Sequence, residues 1–348
     1  MIFQLYTLFF FLLFLLLFTE GKILDRKKYY YFVFFALLML IIFKDGSILP
    51  DYHMYKYNYQ VASNGGFLKI MEPSYFLISL LFSPLGELGF YFVLASYGAI
   101  SIILYFKLVR KTSYPEYSTL LLFSNFFIIF LLIQIRGGIA LCLIYLAILN
   151  RGKTMSFFKY ISLAIFFHYS SIIFIPFIFI DRFKLSRKNI ILLLLAALSL
   201  RLVFFQVLTS LVSLLPVSYL QKKLITYSLT ARAENFEIDL FGAFIISKLL
   251  LLLLFVYNIH FFKKHKELNV FLKLYVLGVF IYISFSAFPE IAVRISNVLF
   301  FSELFLIPYF IRFFKQQSFI KFLIIIFAFF MLYINLNYTS YLKYQIPI

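Results

Sequence analysis

Residues 9–18 read FFFLLFLLLF and residues 191–200 read ILLLLAALSL. Runs of this kind recur through a chain of 348 residues that is 64% hydrophobic and 13% charged, with 51 Phe, 27 Tyr and no Trp. Soluble domains run nearer half apolar and a quarter charged. Water cannot receive such a surface and a bilayer can, so the sequence predicts an all-α, polytopic integral membrane protein.

A helix needs about 20 mostly apolar residues to cross the hydrocarbon core, with a usable range of roughly 17 to 25. Counting such segments from Ile2–Phe18 to Phe319–Asn335 predicts about 10–12 transmembrane helices in a single transmembrane domain over residues 1–348, with no soluble catalytic domain. The first run lacks a basic segment before it and a small-residue cleavage site after it, and reads as a retained helix. Two connections are longer than turns, about 44–72 and 216–240, and both are expected on the non-cytoplasmic side. Lys22, Arg26, Lys27 and Lys28, then Arg182, Lys184, Arg187 and Lys188, then Lys263, Lys264 and Lys266, then Arg312, Lys315 and Lys321 mark the cytoplasmic loops by the positive-inside rule. Between residues 66 and 181 the parity depends on the short segment Tyr75–Leu85. If it spans, Lys107, Arg110 and Lys111 fall outside against the rule; if it is re-entrant, another crossing is lost.

The formal charge of +18 would suggest nucleic acid in a soluble chain. Here the basic residues sit in short clusters between apolar runs, where they orient helices and meet anionic headgroups of the lipid bilayer, so no nucleic acid is expected. The single cysteine, Cys142, lies in an apolar run and allows no internal disulfide. There is no phosphate loop, nucleophile elbow, metal-ligand spacing or internal repeat, and any chemistry falls to residues at or within the membrane.

Polar residues that interrupt apolar runs are therefore the informative ones, because burying an ionisable group in lipid costs at least about 2.5 to 3.5 kcal/mol. Asp51, Tyr52 and Tyr55 open an aromatic stretch in the first long connection, suited to sugar faces and hydroxyls or, more simply, to an interfacial aromatic belt. Glu72 precedes Pro73, where an acid can be a helix cap or a general base. Arg136 is followed by Gly137 and Gly138, a pattern that fits phosphate with close backbone approach, or a hairpin turn with a snorkelling arginine. His168 lies mid-span beside Tyr169 and Ser170, either a satisfied core histidine or a proton-transfer group. Arg201 and Lys248 have no acid near them in sequence, so their partners are distant in the chain or are anionic ligands. Arg294 stands four residues from Glu290, the spacing of a helical ion pair. A cavity lined by Arg136, Arg201 and Arg294 would suit a pyrophosphate.

Taken in order, Asp51 with Tyr52 and Tyr55, Glu72-Pro73 with Tyr75, Gln134-Ile135-Arg136-Gly137-Gly138-Ile139-Ala140, Phe167-His168-Tyr169-Ser170 and Arg294 resemble the EpsG-like family of bacterial polysaccharide polymerases, which includes O-antigen polymerases of the Wzy type. The sequence departs from the family pattern in Gly137, where Gln is commoner, and in Ser74, where Gly is usual. The resemblance implies a GT-C-like membrane glycosyltransferase of the bacterial inner (cytoplasmic) membrane. It would join undecaprenyl-pyrophosphate-linked oligosaccharides on the periplasmic side, with no metal and no cofactor, alongside a chain-length regulator and a flippase. It also implies roles: Arg136, with Arg294 and Arg201, on the donor pyrophosphate; His168 on the phosphate or a proton; Glu72 or Asp51 as base; Tyr52 and Tyr55 against sugars. The alternatives are a lipid-linked oligosaccharide flippase, which needs a basic cavity and commonly shows internal pseudo-symmetry, and an O-antigen ligase, which shares the donor chemistry.

Overall fold

The computed structural model describes residues 2–43, 51–68, 71–214 and 240–337. All but the last residue of the expected connection 216–240 lies outside them. The helices are α1 (Ile2–Glu20), α2 (Arg26–Ile42), α3 (Tyr52–Ser63), α4 (Pro73–Phe82), α5 (Glu87–Val109), α6 (Pro115–Leu122), α7 (Ile135–Leu149), α8 (Thr154–Phe167), α9 (Arg187–Leu214), α10 (Ala243–Tyr257), α11 (Ile259–Lys264), α12 (Lys266–Ser284), α13 (Pro289–Phe300), α14 (Glu303–Leu306), α15 (Tyr309–Phe313) and α16 (Gln317–Asn337). No strand occurs among the described residues. Six helical segments among them are long and apolar enough to cross a membrane: Phe3–Glu20, Glu87–Val109, Pro115–Ile133, Lys266–Ser284, Ile291–Phe313 and Gln317–Asn337. The protein is an all-α, polytopic membrane protein. Four further apolar helices are shorter, and three of them build the site described below.

The chain forms two compact units, residues 1–179 with 307–348, and residues 180–306. In the first, the basic loops gather at one end. Arg26 at the start of α2 pairs with Glu116 at the start of α6 at 3.0 Å, Lys321 near the start of α16 pairs with Glu20 at the end of α1, and Arg110 just past α5 lies 4.9 Å over the Tyr30 ring. Lys107, Arg110 and Lys111 are therefore at the same end as Lys22 to Lys28. The opposite end of α5 meets α3, where Glu87 pairs with Lys56 at 3.2 Å.

Helix α4 does not cross. At its start the Tyr75 hydroxyl donates to the Tyr55 carbonyl at 2.7 Å; at its finish the Phe82 carbonyl accepts from the Tyr59 hydroxyl at 3.2 Å, as does Gly86 at 2.6 Å. Both ends thus rest on the same twelve-residue helix, α3. The approach requires a glycine at position 89, where a Cβ would stand 2.0 Å from the Tyr59 hydroxyl. Both ends on α3 match the re-entrant alternative for this segment, and the connection expected as a loop over residues 44–72 contains helix α3.

Two apolar runs depart from the α-helix: one ends where the sequence places a boundary, at Gln134, and the other is broken at His168, inside a run that reads as continuous. Past Leu122, α6 widens into a π-helical stretch, Phe123–Ile133, and Gln134 stops it before α7 begins. Such stretches are rare and frequent at functional sites. Likewise α8 ends at Phe167, His168 is extended (φ −156°, ψ 112°), and a 3-10 stretch, Tyr169–Arg182, follows. The Ala164 carbonyl accepts both the His168 N–H at 2.8 Å and the Ser171 hydroxyl at 3.3 Å, tying the start of the 3-10 stretch to the last turn of α8. At 1.5 Å per residue the 15-residue α7 and 14-residue α8 are about 22 and 21 Å long, short of a hydrocarbon core of about 30 Å. Neither is long enough to cross the core alone, and their broken ends lie at the end of the unit away from the basic loops.

In the second unit Lys248 of α10 reaches Glu303 of α14 at 2.7 Å, with both side chains buried. The ammonium lies 5.1 Å from the Phe244 ring and 5.2 Å from that of Phe300, and the Tyr275 hydroxyl donates to the Lys248 carbonyl at 2.8 Å. Of the two kinds of partner open to Lys248, the structure supplies a distant acid.

Candidate functional site

Three motifs far apart in sequence meet in the first unit. Glu72 precedes a proline, whose ring pushes the preceding residue out of the helical region; its backbone is extended (φ −66°, ψ 143°) and its carbonyl caps the first turn of α4. Arg136 is the second residue of α7, and His168 is the residue at which α8 breaks. The Glu72 carboxylate binds both: Oε2 accepts from Arg136 Nη1, and Oε1 lies 2.9 Å from His168 Nδ1. These partners are 64 and 96 residues from Glu72 in the chain.

Aromatic rings hold the cluster. The Arg136 guanidinium lies 4.9 Å from the centroid of the Tyr55 ring and 5.7 Å from that of Tyr75, a cation–π arrangement that offsets part of the cost of burying the charge. Tyr55 and Tyr75 stack at 5.8 Å and 25°, and Tyr169 donates to the Met71 carbonyl beside Glu72 at 3.3 Å. Exposure differs within the trio: the side chains of Glu72 and Arg136 are 5% and 10% exposed, that of His168 34%. Arg136 Nε has no hydrogen-bond partner among the described residues.

Both carboxylate oxygens of Glu72 are thus engaged, and the carboxylate on Nδ1 fixes the imidazole with Nε2 as its outward nitrogen. A histidine oriented in this way can accept a proton through Nε2, as in the carboxylate–histidine pairs of hydrolytic triads. Arg136, at the start of α7, adds its charge to the positive end of the helix dipole, and its Nε retains a donor.

Several expectations change against this geometry. Arg136, read as a phosphate ligand or a snorkelling arginine, is buried and paired with Glu72. Tyr55 is 2% exposed, with its ring against Arg136 rather than open to a sugar, while Tyr52 is half-buried, 5.3 Å edge-on to Phe90. Asp51, half-buried, lies one turn before Tyr55 and outside the trio. Gly138 is needed by the fold itself: a Cβ there would stand 2.3 Å from the Phe130 carbonyl oxygen of the π-helical stretch. A Cβ on Gly137 would meet only ordinary contacts, none closer than 3.4 Å. Arg201 and Arg294, both half-buried, belong to the second unit, and the side chain of Glu290 lies outside the described residues. Among the described residues no group of three or more His, Cys, Asp or Glu is placed to hold a metal ion.

Tyr97 of α5 was not singled out by sequence. It stands mid-span in Ala95-Ser96-Tyr97-Gly98, and a hydroxyl among small residues is the only signal it carries.

No curated protein and no solved structure matches the chain. The family model of the EpsG family matches residues 27–346, nearly its whole length and all three members of the trio. The chain belongs to the EpsG family.

Proposed function

We propose that the protein is a polysaccharide polymerase, joining oligosaccharide repeat units carried on undecaprenyl pyrophosphate on the non-cytoplasmic side of a bacterial inner membrane. The observation that carries the reading is the convergence of Glu72, Arg136 and His168 on one carboxylate, at the end of the unit opposite its basic loops. A substrate with a lipid tail, a pyrophosphate and a sugar chain needs a cation and a proton acceptor at that depth.

In the proposed reaction an acceptor hydroxyl oxygen attacks the anomeric carbon of the donor, and the bond from that carbon to the pyrophosphate oxygen breaks. The bonding pair leaves with the pyrophosphate, and the hydroxyl proton goes to His168 Nε2. Glu72 stays ionised, orients the imidazole and stabilises the imidazolium as it forms. Arg136 sets its positive charge beside the charge growing on the leaving group, the kind of electrostatic contribution that is large in a dry site. Asp51 and Tyr52, in the same unit as the trio, are assigned to the acceptor sugar.

The test is deletion of the gene in its host, complementation with the wild type, Arg136→Lys or His168→Gln, and display of the surface polysaccharide on a gel. The reading requires a ladder that collapses to a single repeat unit and is restored only by wild type at equal protein levels. Loss of even the single unit would indicate a flippase or a ligase, and an unchanged ladder would end the proposal.

A further inference from the structure

Tyr97 is completely buried and contacts a neighbour of each member of the Glu72–His168 pair, Ser74 on one side and Phe167 on the other. Its hydroxyl shares a 2.8 Å hydrogen bond with Ser74, two residues past Glu72 and likewise buried. Its ring lies 5.9 Å edge-on to that of Phe167, the last residue of α8 before His168, and 5.8 Å from the ring of Tyr75. The segments carrying Glu72 and His168 are both interrupted at those residues, one by Pro73 and one by the end of α8. Neither segment has a continuous helix to fix its end, so a neighbour must set their spacing. Helix α5 is that neighbour: it is a continuous 23-residue span, bound at one end to α3 through Glu87 and at the other stacked on Tyr30 through Arg110.

We propose that Tyr97 is a positioning residue of this site, a brace on α5 that holds the start of α4 and the end of α8 at the separation that lets Glu72 hydrogen-bond His168. This rests on the polymerase reading given above. The hydroxyl fixes the α4 side through Ser74; the ring fixes the α8 side through Phe167. A hydroxyl at position 74 is essential to the arrangement, since neither Ala nor Gly there could bond Tyr97.

The test compares wild type, Tyr97→Phe, Ser74→Ala and the double variant, purified in full length. The substrate is lipid-linked repeat units extracted from a strain lacking the gene. Tyr97→Phe keeps the ring and removes only the hydroxyl. Misplacing a catalytic group by about 1 Å can cost on the order of 10²-fold, so the loosened pair is expected to lower kcat roughly tenfold or more with KM changed less than about twofold. Ser74→Ala should give the same loss, and the double variant no more than either single one, because both remove one bond. A melting temperature measured on each protein separates this from unfolding: the kcat loss must persist well below the melting transition.

Equal kcat for Tyr97→Phe and wild type overturns the inference alone, as do losses that multiply in the double variant. Loss of activity that tracks the unfolded fraction also overturns it, since Tyr97 would then be only a core residue. Wild type that makes no polymer under these conditions overturns the site reading and this inference together. Unaltered activity in His168→Gln, with the Tyr97→Phe defect intact, overturns the site reading and shows that Tyr97 acts through another group.

Discussion

Glu303 and Glu72, two of the acids buried among the described residues, solve the same electrostatic problem in opposite ways. Glu303 faces one ammonium, Lys248, among Phe244, Phe300 and Tyr275, and the pair's side chains are 1% and 0% exposed. Glu72 is shared between Arg136 and His168, with His168 about a third exposed and Arg136 Nε without a partner among the described residues. The Lys248 ammonium is shut between two aromatic rings; the trio at Glu72 retains a donor and an outward imidazole nitrogen. Buried ion pairs are weak evidence for stability, since an apolar pair of similar volume is often as good. What distinguishes a working site is therefore unspent bonding capacity beside the charge, not burial of the charge.

The largest expected effect tests the closed pair. Lys248→Met leaves a buried carboxylate uncompensated and should cost about 3 to 5 kcal/mol of stability, measured by thermal unfolding in detergent. Adding Glu303→Leu should recover most of that loss, and the double variant should make a normal polymer ladder. A double variant that folds but makes no polymer would erase the contrast between the regions. Next comes the open site. Arg136→Lys keeps a charge for Glu72 but loses the planar fork, and is expected to lower the rate on the order of 10²-fold, as for removal of a transition-state donor. Here an apolar replacement of both partners, Arg136→Met with Glu72→Leu, should restore folding without restoring polymer.

Smaller effects sharpen the boundary of the site. Gly138→Ala should destabilise by about 1 to 3 kcal/mol, because the Phe130 carbonyl occupies the space a methyl needs, while Gly137→Ala should be nearly neutral; equal effects would mean that the π-helical stretch does not seat α7. Tyr169→Phe removes one hydrogen bond, to the Met71 carbonyl, and should cost about 0.5 to 1.5 kcal/mol, with little change in polymer length.

The apolar runs made the class of fold legible, because hydrocarbon admits few solutions and composition alone excludes the rest. The positions of Glu72, Arg136 and His168 were legible as ionisable residues at the edges of such runs. Their pairing was not: a separation of 64 or 96 residues carries no local signal, and neither reading of Arg136 pointed to Glu72. The break at His168 and the π-helical winding before Gln134 were equally hidden. Phe123 to Ile133 is as apolar as any α-helical span, and hydrophobicity does not distinguish a π-helical winding from an α-helical one. Helix α4 was too short to classify, and only the tyrosines of α3 at both its ends show that it turns back. Tyr97 looked like any aromatic in a span because its importance lies in what it bridges.

The shortness of α7 and α8 has a chemical consequence for a sugar-transferring enzyme. Once a site has activated a glycosyl donor for transfer, water at about 55 M competes with the acceptor hydroxyl for the anomeric carbon unless that hydroxyl is held in place. Helices of about 22 and 21 Å fall short of a core of about 30 Å, and on the proposed reading their broken ends hold the imidazole below the layer where water is abundant. On the proposed reading, the acceptor hydroxyl reaches that depth attached to its own lipid while most water does not, so the length of two helices sets the ratio of transfer to wasteful hydrolysis.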